Sequence, residues 1–243
     1  MKYASLSNIG LHREKNQDSY CNITNHFGDV LLMICDGIGG GKAGEVASGE
    51  VIKYFINVFK TCDQFESIES MTDFMNKHIT KANEEVFKLS CKYKEFKGMG
   101  TTLTGILKTG LGTIVFNVGD SRVYGFADKK MFRLTTDHTL VNEMIKKGEI
   151  TYEESLTHPK RHYLVKAIGI WDFVTPDIHR VAEMDKYLIC SDGLSSYVDE
   201  KEIISIMNDD NLSAEDKANE LVNKSLLSGG YDNVTVIVCD VNG

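Results

Sequence analysis

Four short segments of strand-like composition follow one another in the middle of the chain, and their spacing restricts the possible folds. They are Thr101–Leu107, Thr113–Val118, Val123–Phe126 and Met131–Leu134. The connections between them, such as Gly110-Leu111-Gly112, have turn composition and are too short to contain a helix. This spacing favours antiparallel pairing over parallel βαβ units, which need a crossover helix.

Further strands and helices are predicted on both sides of this region. Val30–Cys35 is continuously apolar, which indicates a strand buried on both faces, and Ser19–Thr24 is predicted to precede it in a hairpin. Late strands are predicted over Tyr187–Cys190 and Val234–Cys239. Apolar residues at helical spacing predict helices over about 43–58, 67–91, 140–147, 200–207 and 214–227. The pattern predicts an α+β fold in which antiparallel sheets pack on each other and are covered by helices.

The organisation and charge of the chain exclude several classes of protein. No linker rich in Pro, Gly or Ser interrupts the 243 residues, so one domain spanning 1–243 is expected. The formal net charge of -8 argues against a nucleic-acid partner, because phosphate backbones attract basic surfaces. No run of about 18 apolar residues predicts a membrane span, and the N-terminus has no segment of signal-peptide type. No membrane association and a cytoplasmic location are therefore expected.

The six cysteines point away from metal ribbons and from thiol catalysis. None forms a CxxC pair, which disfavours a zinc ribbon or a thioredoxin-type motif. None is followed six residues later by arginine, which removes the phosphatase arrangement of a cysteine nucleophile and an arginine cradle. The cysteines in strand-like runs are expected to be small buried side chains in a reducing compartment.

Three aspartates lie where a predicted buried strand meets a loop. Asp36 and Asp192 each follow an apolar run and precede glycine, and Asp232 lies just before the last strand. Asp-Gly alone is a common turn dipeptide. A carboxylate beside a buried strand is costly unless it is paired, and no Lys or Arg is near these three in the sequence. A divalent cation is the natural partner, and oxygen ligands favour Mg²⁺ or Mn²⁺.

Three other residues extend this hypothesis, each with a simpler alternative. Gly37 has no side chain, so a backbone carbonyl there can approach a metal closely. Arg13 can hold a phosphate through two hydrogen bonds, although a solvated surface arginine is the default. Asp120 lies in a tight break between two strands, where it is either a ligand or a turn residue paired with the nearby Arg122.

Six short motifs occur in order along the whole chain. They are Arg13-xx-Asn16-Gln17-Asp18, Asp36-Gly37-Ile38-Gly39-Gly40, Gly100-Thr101-Thr102, Gly119-Asp120-Ser121-Arg122, Ser191-Asp192-Gly193-Leu194 and Asp232-Asn233-Val234-Thr235. Each motif is weak alone, but six in order are specific. Together they resemble a known family, the metal-dependent type 2C protein serine/threonine phosphatases in their short bacterial form.

The resemblance implies a β-sandwich of two packed antiparallel β-sheets flanked by α-helices, with two Mn²⁺ or Mg²⁺ ions at one end. Asp36 would bridge the two ions, and Asp192 and Asp232 would bind one of them. The Gly37 carbonyl would bind the other ion, with Asp18 close by, through water.

The same resemblance implies a third ion site and a substrate site. Asp120 and Asp192, with the carbonyl of His162, would form the third metal site. Arg13 would bind the phosphate of a phosphoserine or phosphothreonine protein. A water between two cations loses its proton more readily than bulk water and would attack phosphorus in line. The catalytic set would then be Arg13, Asp36, Asp192 and Asp232, acting in a monomer that opposes a serine/threonine kinase.

The chain departs from the family pattern in three places. Ile38 stands where animal members often carry a histidine that is proposed to protonate the leaving group. Gln17 replaces a glutamate, which removes one charge near a metal. Trp171 is bulkier than the usual residue, and core packing is expected for it. Two alternatives stay open: a metal phosphatase of small esters, and an inactive domain that binds phosphopeptides.

Overall fold

Two antiparallel sheets lie at the centre of the computed structural model, which describes residues 1–38 and 43–241. In spatial order, the first sheet contains β1 (Lys2–Asn8), β11 (Val234–Asp240), β10 (Lys186–Cys190), β7 (Arg122–Ala127) and β8 (Lys130–Arg133). The second contains β2 (Asp18–Thr24), β3 (Val30–Ile38), β5 (Leu103–Thr109), β6 (Gly112–Val118) and β9 (Asp177–Val181), and β4 (Gly100–Thr101) pairs with the end of β3. The antiparallel pairing predicted from the close spacing is confirmed.

Helices cover the outer faces of the two sheets. α1 (Gly44–Lys60) and α2 (Ile68–Lys92) pack against the second sheet, and a 3₁₀ turn at Lys94–Phe96 follows them. α6 (Glu200–Met207) and α7 (Ala214–Leu227) pack against the first sheet, next to the short α5 (Asp192–Ser195). α3 (Leu140–Lys146) and α4 (Tyr152–Thr157) lie between β8 and β9 in the chain. The predicted α+β sandwich is therefore confirmed.

The alternation of side chains along β3 explains why its residues Val30–Cys35 are all apolar. Leu32 and Ile34 are fully buried in the hydrophobic cluster between the two sheets. Leu31 and Met33 point to the opposite side of the strand and are buried against α1 and α2. Successive side chains of a strand alternate between its faces, so a strand covered on both sides has no polar position. The prediction of burial on both faces is confirmed.

Four elements are not apparent in the sequence pattern. β1 and β9 are edge strands whose residues are partly or largely exposed, so neither shows a continuous apolar run. α4 has six residues and α5 has four, too few to show a helical period. Gly39 and Gly40 of the second motif lie outside the described residues. Within the described chain, no helix combines the length and hydrophobicity that a membrane crossing requires.

Candidate metal centre and phosphate site

Strand ends from both sheets meet at one rim and carry the predicted aspartates there. Asp18 opens β2 and is the direct register partner of Asp36 near the end of β3. Asp192 begins α5 just after β10, and Asp232 precedes the neighbouring β11. Asp120 lies in the turn between β6 and β7, which belong to different sheets. The sandwich therefore gathers five carboxylates that are far apart in sequence.

The rim forms a cleft of about 680 Å³. Asp18 lies behind the cleft surface and is only 8% exposed, whereas the other predicted site residues face the cleft. Those residues are Arg13, Asp36, Gly37, Asp120, Asp192 and Asp232.

Burial and mutual repulsion raise the pKa values of Asp18, Asp36, Asp120 and Asp192. Burial raises the pKa of Asp36 well above its usual range, and the negative charges of Asp18 and Asp192 raise it further. The pKa of Asp192 is raised in the same way, by burial and then by the charge of Asp120. Burial also raises the pKa of Asp18 to about 6 and that of Asp120 to about 7. Positive charge in the cleft would relieve this repulsion.

Asp18 lies in the second sheet but is hydrogen-bonded to residues in or next to the first sheet, through only one of its two carboxylate oxygens. Its Oδ2 accepts hydrogen bonds from Ser191 Oγ at 2.8 Å and from Thr235 Oγ1 at 2.7 Å. Its Oδ1 is buried and has no hydrogen-bond donor. A buried carboxylate oxygen without a donor is costly, and a cation or its water shell satisfies it. The orphaned oxygen therefore fits the metal-site hypothesis.

The donor set fits hard divalent cations, although it is open. All the candidate side chains are carboxylates, which suit Mg²⁺ and Mn²⁺. Among residues 1–38 and 43–241, no three Asp, Glu, His or Cys side chains already surround one point as ligands of a single ion. Water and backbone oxygens would have to complete each coordination shell, as is usual for Mg²⁺.

The absence of a side chain at Gly37 is required by its surroundings. A Cβ atom there would lie 2.3 Å from the carbonyl oxygen of Gly44 and 2.6 Å from that of Gln17. Gly37 N also donates to Gln17 O at 3.1 Å. Its backbone is therefore packed tightly at the cleft, where the sequence predicts a carbonyl ligand.

Arg13 reaches the acidic cluster through an ion pair that the sequence does not reveal. Its Nη2 donates to Asp232 Oδ2 at 2.7 Å, and its side chain is 49% exposed. No Lys or Arg is near Asp232 in the sequence, and the fold brings Arg13 to it from 219 positions away. The exposed guanidinium lies at the cleft, where a phosphate group can reach it.

Arg122 does not form the ion pair with Asp120 that the hypothesis of a turn aspartate paired with Arg122 requires. Arg122 instead binds Asp137, with Nη2 2.8 Å from Oδ2. His138 holds the turn through two hydrogen bonds to Gly119. Its ring Nδ1 accepts from Gly119 N at 3.1 Å, and its backbone N–H donates to Gly119 O at 2.9 Å. Asp120 thus remains available in the cleft with Asp192 and His162, the residues that the resemblance assigns to a third ion.

Two residues whose roles the sequence does not show hold the backbone of the site. Thr102 Oγ1 accepts from Asp36 N at 2.9 Å, and Thr102 N donates to Asp36 O at 2.8 Å. Asn233 Oδ1 accepts from Gln17 N at 2.9 Å, while its Nδ2 donates to Lys15 O at 3.0 Å. Both residues lie within the sequence motifs, but the sequence does not reveal their hydrogen-bond partners, which lie 66 or more positions away.

Trp171 is not in the core. It lines the cleft and is 44% exposed, so the expectation of core packing is wrong.

Comparisons with known proteins show which family the chain resembles. The family model described as protein phosphatase 2C matches residues 12–228. A protein phosphatase 2C-type protein of Streptococcus pyogenes is 34% identical over 238 residues, covering 97% of this chain and 96% of its own. Protein phosphatase PhpP of Streptococcus pneumoniae is 31% identical over 244 residues, covering 100% of this chain and 98% of its own.

Solved structures show the same likeness in three dimensions. Serine/threonine phosphatase Stp1 from Staphylococcus aureus superimposes with a TM-score of 0.93 at 33% identity, covering 100% of this chain and 95% of that one. Mycobacterium tuberculosis PstP/Ppp gives 0.86 at 31% identity, covering 100% and 99%. With a family match over most of its length, and with strand-end aspartates gathered in one cleft, the chain belongs to the protein phosphatase 2C family.

Proposed function

We propose that this chain is a single-domain serine/threonine phosphoprotein phosphatase that uses divalent cations to hydrolyse phosphoserine and phosphothreonine monoesters. The observation that carries the proposal is the meeting of Asp36, Asp192, Asp232 and Arg13 in one cleft. Similar proteins named serine/threonine phosphatases support the choice of substrate. Phosphorylated proteins are the proposed substrates, and a serine/threonine kinase is the proposed counterpart.

The carboxylates would hold Mn²⁺ or Mg²⁺, two ions per site with a possible third. Asp36 would contact both ions of the pair, Asp192 and Asp232 one of them, and the Gly37 carbonyl with Asp18 the other. Asp120, with Asp192 and the His162 carbonyl, would hold the third. When bound, such cations lower the pKa of water and withdraw charge from phosphoryl oxygens.

The charge of the cleft supports a role for cations in substrate binding as well as in chemistry. Four carboxylates and the Arg13 guanidinium line the space that a phosphate dianion must enter, and Asp18 lies behind it. Without further positive charge, this field repels the substrate. Arg13 carries a guanidinium whose donors match phosphate oxygens, and its contact with Asp232 keeps it at the cleft.

The residues of the chain then orient the reaction. Arg13 holds the phosphoryl oxygens as charge grows on them, which lowers the barrier to in-line attack by water. The P–O bond to the serine or threonine breaks, and the leaving oxygen takes up a proton. Ile38 lines the cleft but has no proton to give, and we propose that water supplies this proton.

The test is hydrolysis of a phosphothreonine peptide by the full chain, in EDTA and after addition of Mn²⁺ or Mg²⁺. Phosphate release that requires the added metal supports the proposal. A folded protein that binds the peptide but releases no phosphate at any metal concentration would be a binding domain instead. Competition by small phosphate esters at equal efficiency would favour a small-ester phosphatase. A cytoplasmic location and a monomeric state stay predictions.

A further inference from the structure

An apolar wall adjoins the acidic floor of the cleft. We define it as Ile38, Leu164, Ala167, Ile170 and Trp171, all of which line the same cleft as the aspartates. None of these side chains is charged or can bind a metal, and the indole N–H of Trp171 is their only polar group. An exposed apolar surface that continues from a catalytic site is typical of a surface that contacts substrate.

Backbone pairing fixes the distance between the acidic floor and the wall. Asp36 and Gly37 lie at the end of β3, and Gly37 pairs with Thr101 of β4. Thr101 pairs in turn with Ile168, donating to its carbonyl at 3.0 Å and accepting from its N–H at 2.8 Å. Two strand spacings of about 4.8 Å therefore separate β3 from the segment that carries Trp171, roughly 10 Å in all.

An extended peptide advances about 3.3 Å per residue. When a phosphorylated residue is bound over the acidic floor, the side chains two or three positions away lie roughly 7–10 Å along the peptide. This is the span from β3 to the segment of the wall that carries Ile170 and Trp171. The wall is therefore within reach of the residues that flank the phosphorylated one.

The segment that carries Trp171 is fixed by hydrogen bonds to Asn83 of α2. Asn83 is 1% exposed, donates from Nδ2 to Trp171 O at 3.0 Å and accepts through Oδ1 from Gly169 N at 2.8 Å. Gly169 has a φ of +83°, and a Cβ atom there would lie 2.2 Å from Val86 Cγ1. A buried asparagine with both ends of its amide bonded holds this loop in one conformation. Trp171 is thus presented on a rigid support.

The indole of Trp171 has exposed surface that a bound peptide can cover. It is 44% exposed, and the neighbouring Tyr163, which also lines the cleft, is 60% exposed. Rigid aromatic side chains lose little conformational entropy on binding and gain from packing against apolar groups.

We propose that the apolar wall binds an apolar or aromatic side chain two or three residues from the phosphorylated residue, and that Trp171 determines this preference. This inference rests on the proposed phosphopeptide phosphatase function and adds a substrate preference to it.

Two phosphothreonine peptides provide the test, identical except that one carries leucine and the other serine at the second and third positions on both sides. The wild-type chain in Mg²⁺ is expected to show a kcat/KM roughly fivefold higher for the leucine peptide. Trp171→Ala is expected to remove the difference, and Trp171→Phe to keep most of it. Phe173→Ala is the matched control, because Phe173 is a nearby exposed aromatic that does not line the cleft. Equal kcat/KM for both peptides in the wild type, or a preference that survives Trp171→Ala, would overturn the inference.

A second readout does not depend on turnover. Trp171 is the only tryptophan of the chain, so its fluorescence reports directly on the wall. Non-hydrolysable phosphonate analogues of the two peptides, titrated in Mg²⁺, are expected to change this fluorescence with a lower Kd for the leucine peptide. A preference in binding without any hydrolysis would refute the phosphatase function and leave the wall as a peptide site. Hydrolysis with equal Kd values and equal kcat/KM would refute the wall and leave the function.

Discussion

The replacement Thr102→Val tests how the metal centre is held in place. Thr102 is 1% exposed, its Oγ1 accepts from Asp36 N at 2.9 Å, and the same oxygen lies 2.8 Å from Ser121 Oγ. Valine has nearly the shape of threonine but has no hydroxyl group. The substitution therefore leaves the Asp36 N–H without its acceptor and removes the link to the turn that carries Asp120.

The expected cost follows from these two contacts. A buried donor left without an acceptor costs about 1–3 kcal/mol, and a lost hydrogen bond between two buried hydroxyls costs about 1 kcal/mol. We expect the free energy of unfolding to fall by about 2–4 kcal/mol. Because Asp36 is then less firmly placed, kcat/KM is expected to fall about tenfold or more.

Urea unfolding and hydrolysis of a phosphothreonine peptide, both in Mg²⁺, measure the two effects. The matched control is Thr104→Val, because Thr104 is also fully buried but its hydroxyl has only a 3.4 Å contact with Phe116 O. The control is expected to lose less than about 1 kcal/mol and to keep its activity. Equal losses of stability in the two variants, or an unchanged kcat/KM in Thr102→Val, would refute the role assigned to the Thr102 hydroxyl.

Three further predictions concern the centre itself. Asp36→Ala and Asp192→Ala are each expected to abolish phosphate release while the far-ultraviolet circular dichroism stays that of the wild type; full activity in either contradicts the assigned centre. Arg13→Ala is expected mainly to raise KM, because it removes phosphate binding, and an unchanged KM removes Arg13 from this role. In EDTA, the free energy of unfolding is expected to fall as pH rises from about 5 to 7. Folding raises the pKa of Asp18 to about 6 and that of Asp120 to about 7. Groups whose pKa is raised on folding stabilise the fold only while they are protonated. Mg²⁺ is expected to reduce this slope, and parallel slopes with and without Mg²⁺ would contradict the site.

The aspartates could be found from the sequence because a strand end is a local pattern. An apolar run such as Val30–Cys35 followed by Asp36 is visible without knowledge of the fold, and strand ends of a sandwich meet at a common rim. The resemblance then joined six local patterns into one site. The predicted strands and most of the helices follow from the same local signals of composition and period.

Contacts between distant segments could not be read in the same way. The ion pair of Arg13 with Asp232 spans 219 positions, and the amide of Asn233 joins Gln17 across 216. Core packing is expected for Trp171 from the sequence, but its side chain is 44% exposed. The backbone of its loop is bonded to Asn83, 88 positions away. Such facts depend on which elements pack together, which no local pattern contains.

The non-acidic residues of the motifs acquire a physical explanation from these contacts. Ser191 precedes one candidate ligand and Thr235 follows another, yet both hydroxyls donate to a third candidate, Asp18. Asn233 likewise follows Asp232 but holds the loop that carries Arg13. The Asp192 motif and the Asp232 motif thus each supply one charged group together with neutral groups that position a different part of the site. A cluster of repelling carboxylates needs such supports, because the pairwise charges would otherwise push the strand ends apart whenever no cation is bound. Spacing between aspartates alone therefore does not define the site, and the hydroxyls and the amide near Asp192 and Asp232 are as much a part of the pattern.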